Sequence, residues 1–195
     1  TSLSPFNISF IHPILSHYNH TTHIRSSPLN LYILDDDPTA AAKSLCDRHV
    51  ARMPLELAQI ICTIANQQNI NAPYTVDLGH PPCILWAREA ESNWQWLLSY
   101  ADSACKEYTA RYNRVHPSQE VVEWAQKIDI GLPPGPITPP PLTVPAKYQG
   151  TSTVWSYRSF YARELVTAEA WKKGAHPRWY GRLVPGTKLI KHNAL

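Results

Sequence analysis

No CxxC pair occurs in this sequence, and no stretch of it approaches the ~18 apolar residues of a membrane-spanning helix. The four cysteines, Cys46, Cys62, Cys83 and Cys105, stand far apart within segments that read as helical. A free thiol in such a place behaves as a small buried hydrophobe. A secretory signal is missing too, so a reducing cytoplasm is the expected setting. There is no phosphate-cradling glycine-rich loop, no GxSxG, no HExxH and no zinc-deaminase pattern. These absences argue against a disulfide scaffold and against the common nucleotide-binding, serine-hydrolase and zinc-enzyme chemistries.

Charge is scarce at the start of the chain. Residues 1–28 hold Arg25 as their one charged group and four histidines, His12, His17, His20 and His23, among Ser, Thr, Asn and Pro. Three of these recur at i, i+3 and i+6, but neither Cys nor acid accompanies them, so a metal site is not favoured. The stretch reads as a disordered or mis-annotated leader, with a start near Leu29. No cofactor or metal is expected, and a metal-dependent hydrolase built on His and Asp ranks last among the readings.

What the chain does have is aromatic and basic character. Seven Trp and ten Tyr are more than the core of a 195-residue chain needs, so some rings are expected at a binding surface. From Lys147 onward there are nine Lys or Arg against two acids, whereas the first 146 residues hold nine against thirteen. A positive end on a slightly acidic body suits phosphate backbones, or is simply a solvated basic tail.

From Asn30 the pattern becomes structured. Leu31–Leu34 is an apolar run for a strand or an extended segment, and Asp35–Asp37 with Pro38 stops it and caps a helix. Cys46, Val50, Met53, Leu57, Ile61 and Ile64 recur at threes and fours, which predicts a helix from Thr39 to Gln68 with a kink at Pro54. A loop over 69–82 leads to a second long helix over 83–114, and a shorter one spans Ser118–Lys127. Gly131–Pro145, with seven prolines, reads as an extended connector rather than a packed element. A last helix over 154–171 precedes the basic tail. The expected architecture is an all-α single domain of about four helices over 29–182, with a basic tail over 183–195 and a monomer favoured.

Three groups of residues could carry chemistry. On the first helix, His49, Arg52, Glu56 and Gln59 fall within about 80° of one another, roughly 130° from the apolar set. This stripe is either a satisfied polar network or the wall of an active cleft. Around the second helix, His80, Trp86, Arg88 and Asn93 could meet an anion at a proline-led helix start, with ordinary capping as the alternative. In the tail, Lys172, Lys173, Arg178, Trp179, Tyr180 and Arg182 alternate cations with rings. That suits backbone neutralisation and base stacking, unless the rings simply close the core.

The succession NLYILDDDP, CDRHVARMPLELAQ, HPPCILWARE, EYTARYNRVH and HPRWY resembles a group of small phage-encoded proteins that carries no assigned activity. Asp47-Arg48-His49-Val50 followed by Glu56-Leu57 resembles the first-helix motif of the phage pyrimidine-dimer DNA glycosylase/AP-lyase family, D-x-H-L and then E-L at the same distance. The order of elements and a terminal Pro-x-Trp-Tyr are also similar. The resemblance implies a helical domain that acts on double-stranded DNA through an imine between the chain's α-amine and a sugar. Glu56 would be the carboxylate that stabilises the charge, His49 would orient its neighbours, and Asn30 would supply the amine if the mature chain began there. Arg52 and Arg88 would join the tail in binding DNA. Leu55 and Gln59 stand where the family has arginines, and Lys43 is the substitute nucleophile if the amine lies elsewhere. A non-enzymatic DNA- or RNA-binding accessory protein is the alternative. It would occupy the same host cytoplasm.

Overall fold

The computed structural model describes residues 29–184. The expected leader and nearly all of the expected tail, with Lys188 and Lys191, lie outside the described residues. Within them the chain is all-helical, without a strand. Seven α-helices replace the four expected: α1 (Pro38–Ser44), α2 (Asp47–Gln67), α3 (Pro82–Ala87), α4 (Glu91–Tyr112), α5 (Gln119–Ala125), α6 (Thr153–Phe160) and α7 (Arg178–Leu183). Helices α2 and α4 pack against each other, with α1 across α4 and α5 against both.

The count rises because each long helix expected from periodicity is broken by a buried partner that periodicity cannot show. The first breaks at Leu45–Cys46, both extended, while the chain runs helically through Pro54. Asp37 caps α1 by accepting from Ala40 N at 2.7 Å. At the other end of α1 the Arg111 guanidinium draws out two carbonyls, donating to Leu45 O at 2.8 Å and Lys43 O at 3.1 Å. The freed Cys46 N–H donates to the Tyr161 hydroxyl, and Trp171 Nε1 donates to Ser44 O. Four orphan groups at the break, the carbonyls of Lys43, Ser44 and Leu45 and the N–H of Cys46, thus find tertiary partners.

The second long helix breaks before Glu91. Asn93, fully buried, donates from Nδ2 to Trp86 O and to Thr138 Oγ1 at 2.8 Å, and accepts from Thr138 N at 2.9 Å. Glu91 N donates to Pro133 O, and Trp86 Nε1 donates to Thr138 O. These bonds correct the expectation for Gly131–Pro145. The segment is extended, but it is packed and pinned, with Val144 buried. Trp86 and Asn93 therefore serve this pin and do not assemble with Arg88 around an anion. The last helix also ends early, passing at Tyr161 into a π-helical turn, Tyr161–Leu165.

Arg111 is the buried centre of the domain's polar structure, its side chain 2 % exposed. It pairs with Asp47 Oδ1 at 3.1 Å and with Glu107 Oε1 at 2.7 Å. Gly174 closes over it: a Cβ there would lie 2.2 Å from the Arg111 guanidinium carbon. Because that guanidinium is fixed on all sides, Gly174→Ala is expected to cost about 1–3 kcal/mol. A urea midpoint equal to the parent's would show that the lid can give.

Candidate functional site

The extended segment 29–34 delivers Asn30 and Tyr32 to the N-terminal half of α2. Tyr32 takes a left-handed backbone, φ +46°, which costs a bulky residue free energy and is held by its surroundings. Its N–H donates to Asn30 Oδ1 at 2.9 Å, and its ring stacks on His49, centroids 4.9 Å apart. Asn30 and Tyr32 form one wall of a cleft of about 300 Å³. Thr143, Val144, Pro145, Phe160 and Leu165 form the rest.

His49 lies deep, 3 % exposed. The Tyr161 hydroxyl accepts from Cys46 N and stands 2.5 Å from His49 Nδ1, so its own proton is available to that nitrogen. Burial first, then the neighbouring Arg48 and Arg52 charges, push the imidazole down to about 3. The ring is therefore neutral at physiological pH. The unfolded chain protonates near pH 6.5 and the folded one near 3, so the unfolded state binds the extra proton between them. Stability from His49 is complete above about pH 6.5 and falls as pH drops towards 3. Between pH 7.5 and 4.5 the loss is expected to be about 2–3 kcal/mol. Urea midpoints of parent and His49→Gln at both pH values test this, because the variant should lose less on acidification.

Arg52 Nε donates to Glu56 Oε1 one turn along α2. The Tyr32 phenol is raised by burial, with the Arg52 and Glu56 charges acting on it in opposite directions. His49 thus packs on Tyr32, close enough to the Arg52–Glu56 pair for both charges to act on the phenol, with Asn30 tied to Tyr32 from the cleft. Arg48 donates to Leu165 O at the cleft's edge. There too Glu164 takes bonds from Lys147 Nζ and Tyr148 Oη. The Lys147 ammonium and Glu164 carboxyl each hold the other in its charged form.

Other expected site residues lie elsewhere or serve packing. Arg88 donates to Gln67 Oε1 at the far end of α2, about 27 Å along the helix from His49. Tyr180 is buried, its ring against Trp171 and His176. Trp179 is half-buried, donating to Ser44 Oγ and lying under the Arg158 guanidinium. The Tyr180 ring packs into the core, and Trp179 keeps part of its surface in solvent. Lys172, Arg178 and Arg182 are exposed, as is Lys173, whose N–H donates to Asp47 Oδ2. Among the described residues no group of three or more His, Cys, Asp or Glu could hold a metal ion. Asp37 caps α1, and Asp35 pairs with Arg158 at 2.6 Å.

Sequence reasoning missed Arg111, Tyr161, and the cleft wall of residues 143–145, 160 and 165. Arg111 looks like a surface i,i+4 partner of Glu107. Nothing in a single sequence signals that Tyr161 bonds a histidine 112 residues earlier.

Fold and site together define a small all-α domain in which an extended segment is laid along a motif-bearing helix, beside a cleft with Arg48 and Lys147 at its rim. Residues 29–120 match the family model described as pyrimidine dimer DNA glycosylase, which spans the extended segment through the start of α5. That stretch is similar to the family's model and includes the helix that bears His49 and Glu56. No curated protein and no solved structure matches the chain. No helix of the described residues is long and apolar enough to cross a membrane.

Proposed function

We propose that this protein is a DNA glycosylase with AP-lyase activity that removes a damaged or modified base from double-stranded DNA through an imine. One observation carries the reading: Asn30 lines the cleft and is tied through Tyr32 to His49 of the motif helix, one turn before the Arg52–Glu56 pair. An amine lone pair attacks sugar C1′, and the base leaves with the electrons of the glycosidic bond and a proton; the C1′–O4′ bond then opens, O4′ takes a proton, and the nitrogen lone pair forms the C1′=N bond. The resulting cationic imine needs a carboxylate beside it, which Glu56 supplies. A base then takes a C2′ proton, and the C3′–O bond breaks with loss of the phosphate. Asn30 gives the amine when the mature chain starts there, and Lys43, exposed on the last turn of α1, is the substitute. His49, neutral and stacked on Tyr32, fixes the wall that carries Asn30. Lys172, Lys173, Arg178 and Arg182 neutralise phosphates, and the protein works as a monomer in the cytoplasm of a phage-infected host.

The test is borohydride trapping on duplex DNA with an abasic site, using the full chain and a form starting at Asn30. An adduct from the Asn30 form alone, lost when its amine is blocked, supports the α-amine. An adduct from both points to a lysine, and no adduct with DNA binding intact sinks the lyase chemistry. The satisfied state of His49 and the Arg52–Glu56 pair favours a second reading, a nucleic-acid-binding accessory protein without turnover. There, changing Arg178 and Arg182 weakens binding and flattens its salt dependence, whereas Glu56→Gln does nothing.

A further inference from the structure

Beside the cleft stands a ring that no part of the proposed reaction uses. Trp155, in the first turn of α6, is 45 % exposed, and it is the one aromatic among the large exposed hydrophobics of the described residues. Its exposure is not disorder of a loop, because the ring has a made seat. Gly150 lies beneath it, so closely that a Cβ there would come within 2.4 Å of the ring's Cε3 and Cζ3. The strap that carries Gly150 is fixed in turn, Gly150 N donating to Ser156 Oγ and Ser156 Oγ to Ser152 O. Ser152 Oγ also caps α6 by accepting from Trp155 N at 3.1 Å. The Cε3–Cζ3 edge of the indole thus rests against the Gly150 backbone, and nearly half of the residue stays open to solvent.

The position relates to the cleft. The segment that leaves the cleft at Pro145 places Tyr148 against Phe160, a cleft residue, and two residues later places Gly150 under Trp155. Trp155 and Phe160 are about 7.5 Å apart along the same helix. Tyr157, about 160° around from Trp155, faces inward and is buried, so Trp155 points away from the core. Lys147, Arg158 and Arg163 bring three cations to this stretch, Lys147 paired with Glu164 and Arg158 with Asp35.

We propose that Trp155 is a stacking shelf for an unpaired base of bound nucleic acid, next to the cleft. A seated, half-exposed indole next to the cleft, with Lys147, Arg158 and Arg163 in the same stretch, fits a ligand that brings both π-faces and phosphates. An acidic peptide would match the charge but leave the indole face without a planar partner. The inference rests on the DNA-binding reading above, though not on the imine chemistry.

The experiment compares the full chain with Trp155→Ala, Trp155→Phe and Gly150→Ala on two labelled duplexes, one fully paired and one with a single unpaired thymidine. The parent is expected to prefer the duplex with the unpaired base. Trp155→Ala should weaken binding to that duplex about 5- to 150-fold, while affinity for the paired duplex is kept. Trp155→Phe should restore most of the loss. Gly150→Ala, which displaces the ring without removing it, should show a partial loss, and melting curves confirm that each variant folds. Equal affinity of parent and Trp155→Ala for the unpaired base overturns the proposal. So does an equal loss on both duplexes, which would mark a general effect. Failure of the parent to bind either duplex overturns the DNA-binding reading along with it.

Discussion

Glu56→Gln is expected to lose at least about 100-fold in strand-cleaving turnover while keeping its affinity for duplex containing an abasic site. Glutamine preserves the shape of the side chain and the oxygen that accepts from Arg52 Nε, so the pair on α2 keeps its geometry. The pair itself contributes little to folding, since it is an i,i+4 contact whose arginine side chain is 46 % exposed. What disappears is the negative charge that faces the developing cation and the site that could receive a proton from the sugar. Cleavage of an abasic-site duplex, measured under single-turnover conditions beside a binding isotherm, separates these effects. Unchanged cleavage would remove Glu56 from the mechanism. Equal loss of cleavage and binding would make it a binding residue.

The second large effect is on stability. Arg111→Met is expected to cost about 3–5 kcal/mol, because it strips a buried ion pair of one partner and leaves the other groups in place. Asp47 and Glu107 lose their shared cation, and the carbonyls of Lys43 and Leu45 lose their donors at the α1–α2 break. For a chain of this size that is a drop of roughly 10 °C in melting temperature. Arg111→Lys should rescue little, since one ammonium cannot serve two carboxylates and two carbonyls set in a fork. A melting temperature within a few degrees of the parent's for either variant would refute this account of the break. Asp47 stands in the same motif as His49, so the first position of that motif builds the domain, while His49 backs Tyr32, a residue of the cleft wall.

The course of the backbone could be read from sequence wherever a local rule governs it. The Asp37–Pro38 start of α1, the periodic face of α2 and the apolar run at Leu31–Leu34 all follow from neighbours within one or two turns. The Asp47–His49 and Glu56–Leu57 spacing was legible for the same reason, being a pattern along one helix. What escaped was decided across the fold. Arg111 acts 66 residues from the carbonyl it takes at Leu45, and Tyr161 acts 115 residues from the amide it receives at Cys46. The seven prolines of the connector state correctly that it is extended, but its packing depends on Asn93, whose role is invisible until Thr138 is beside it. Trp179 and Tyr180 were drawn towards nucleic acid by their basic neighbours, whereas Ser44, Trp171 and His176 decide where those rings lie. The surplus of rings did imply an exposed one, yet nothing in the composition distinguishes Trp155 from the rest.

The break between α1 and α2 also bears on how the protein is made. A ribosome releases all of residues 29–120 before Tyr161, Trp171 or Gly174 exists. The groups those residues satisfy at Ser44, Cys46 and His49 must meanwhile stay in contact with water. At ordinary elongation rates the interval needed to add residues 121–184 is roughly 3 to 13 s. Nascent chains halted after residue 120 should therefore hold helices without a settled motif end, open to protease near Leu45. The same site should become resistant only once the segment around Gly174 has emerged and docked.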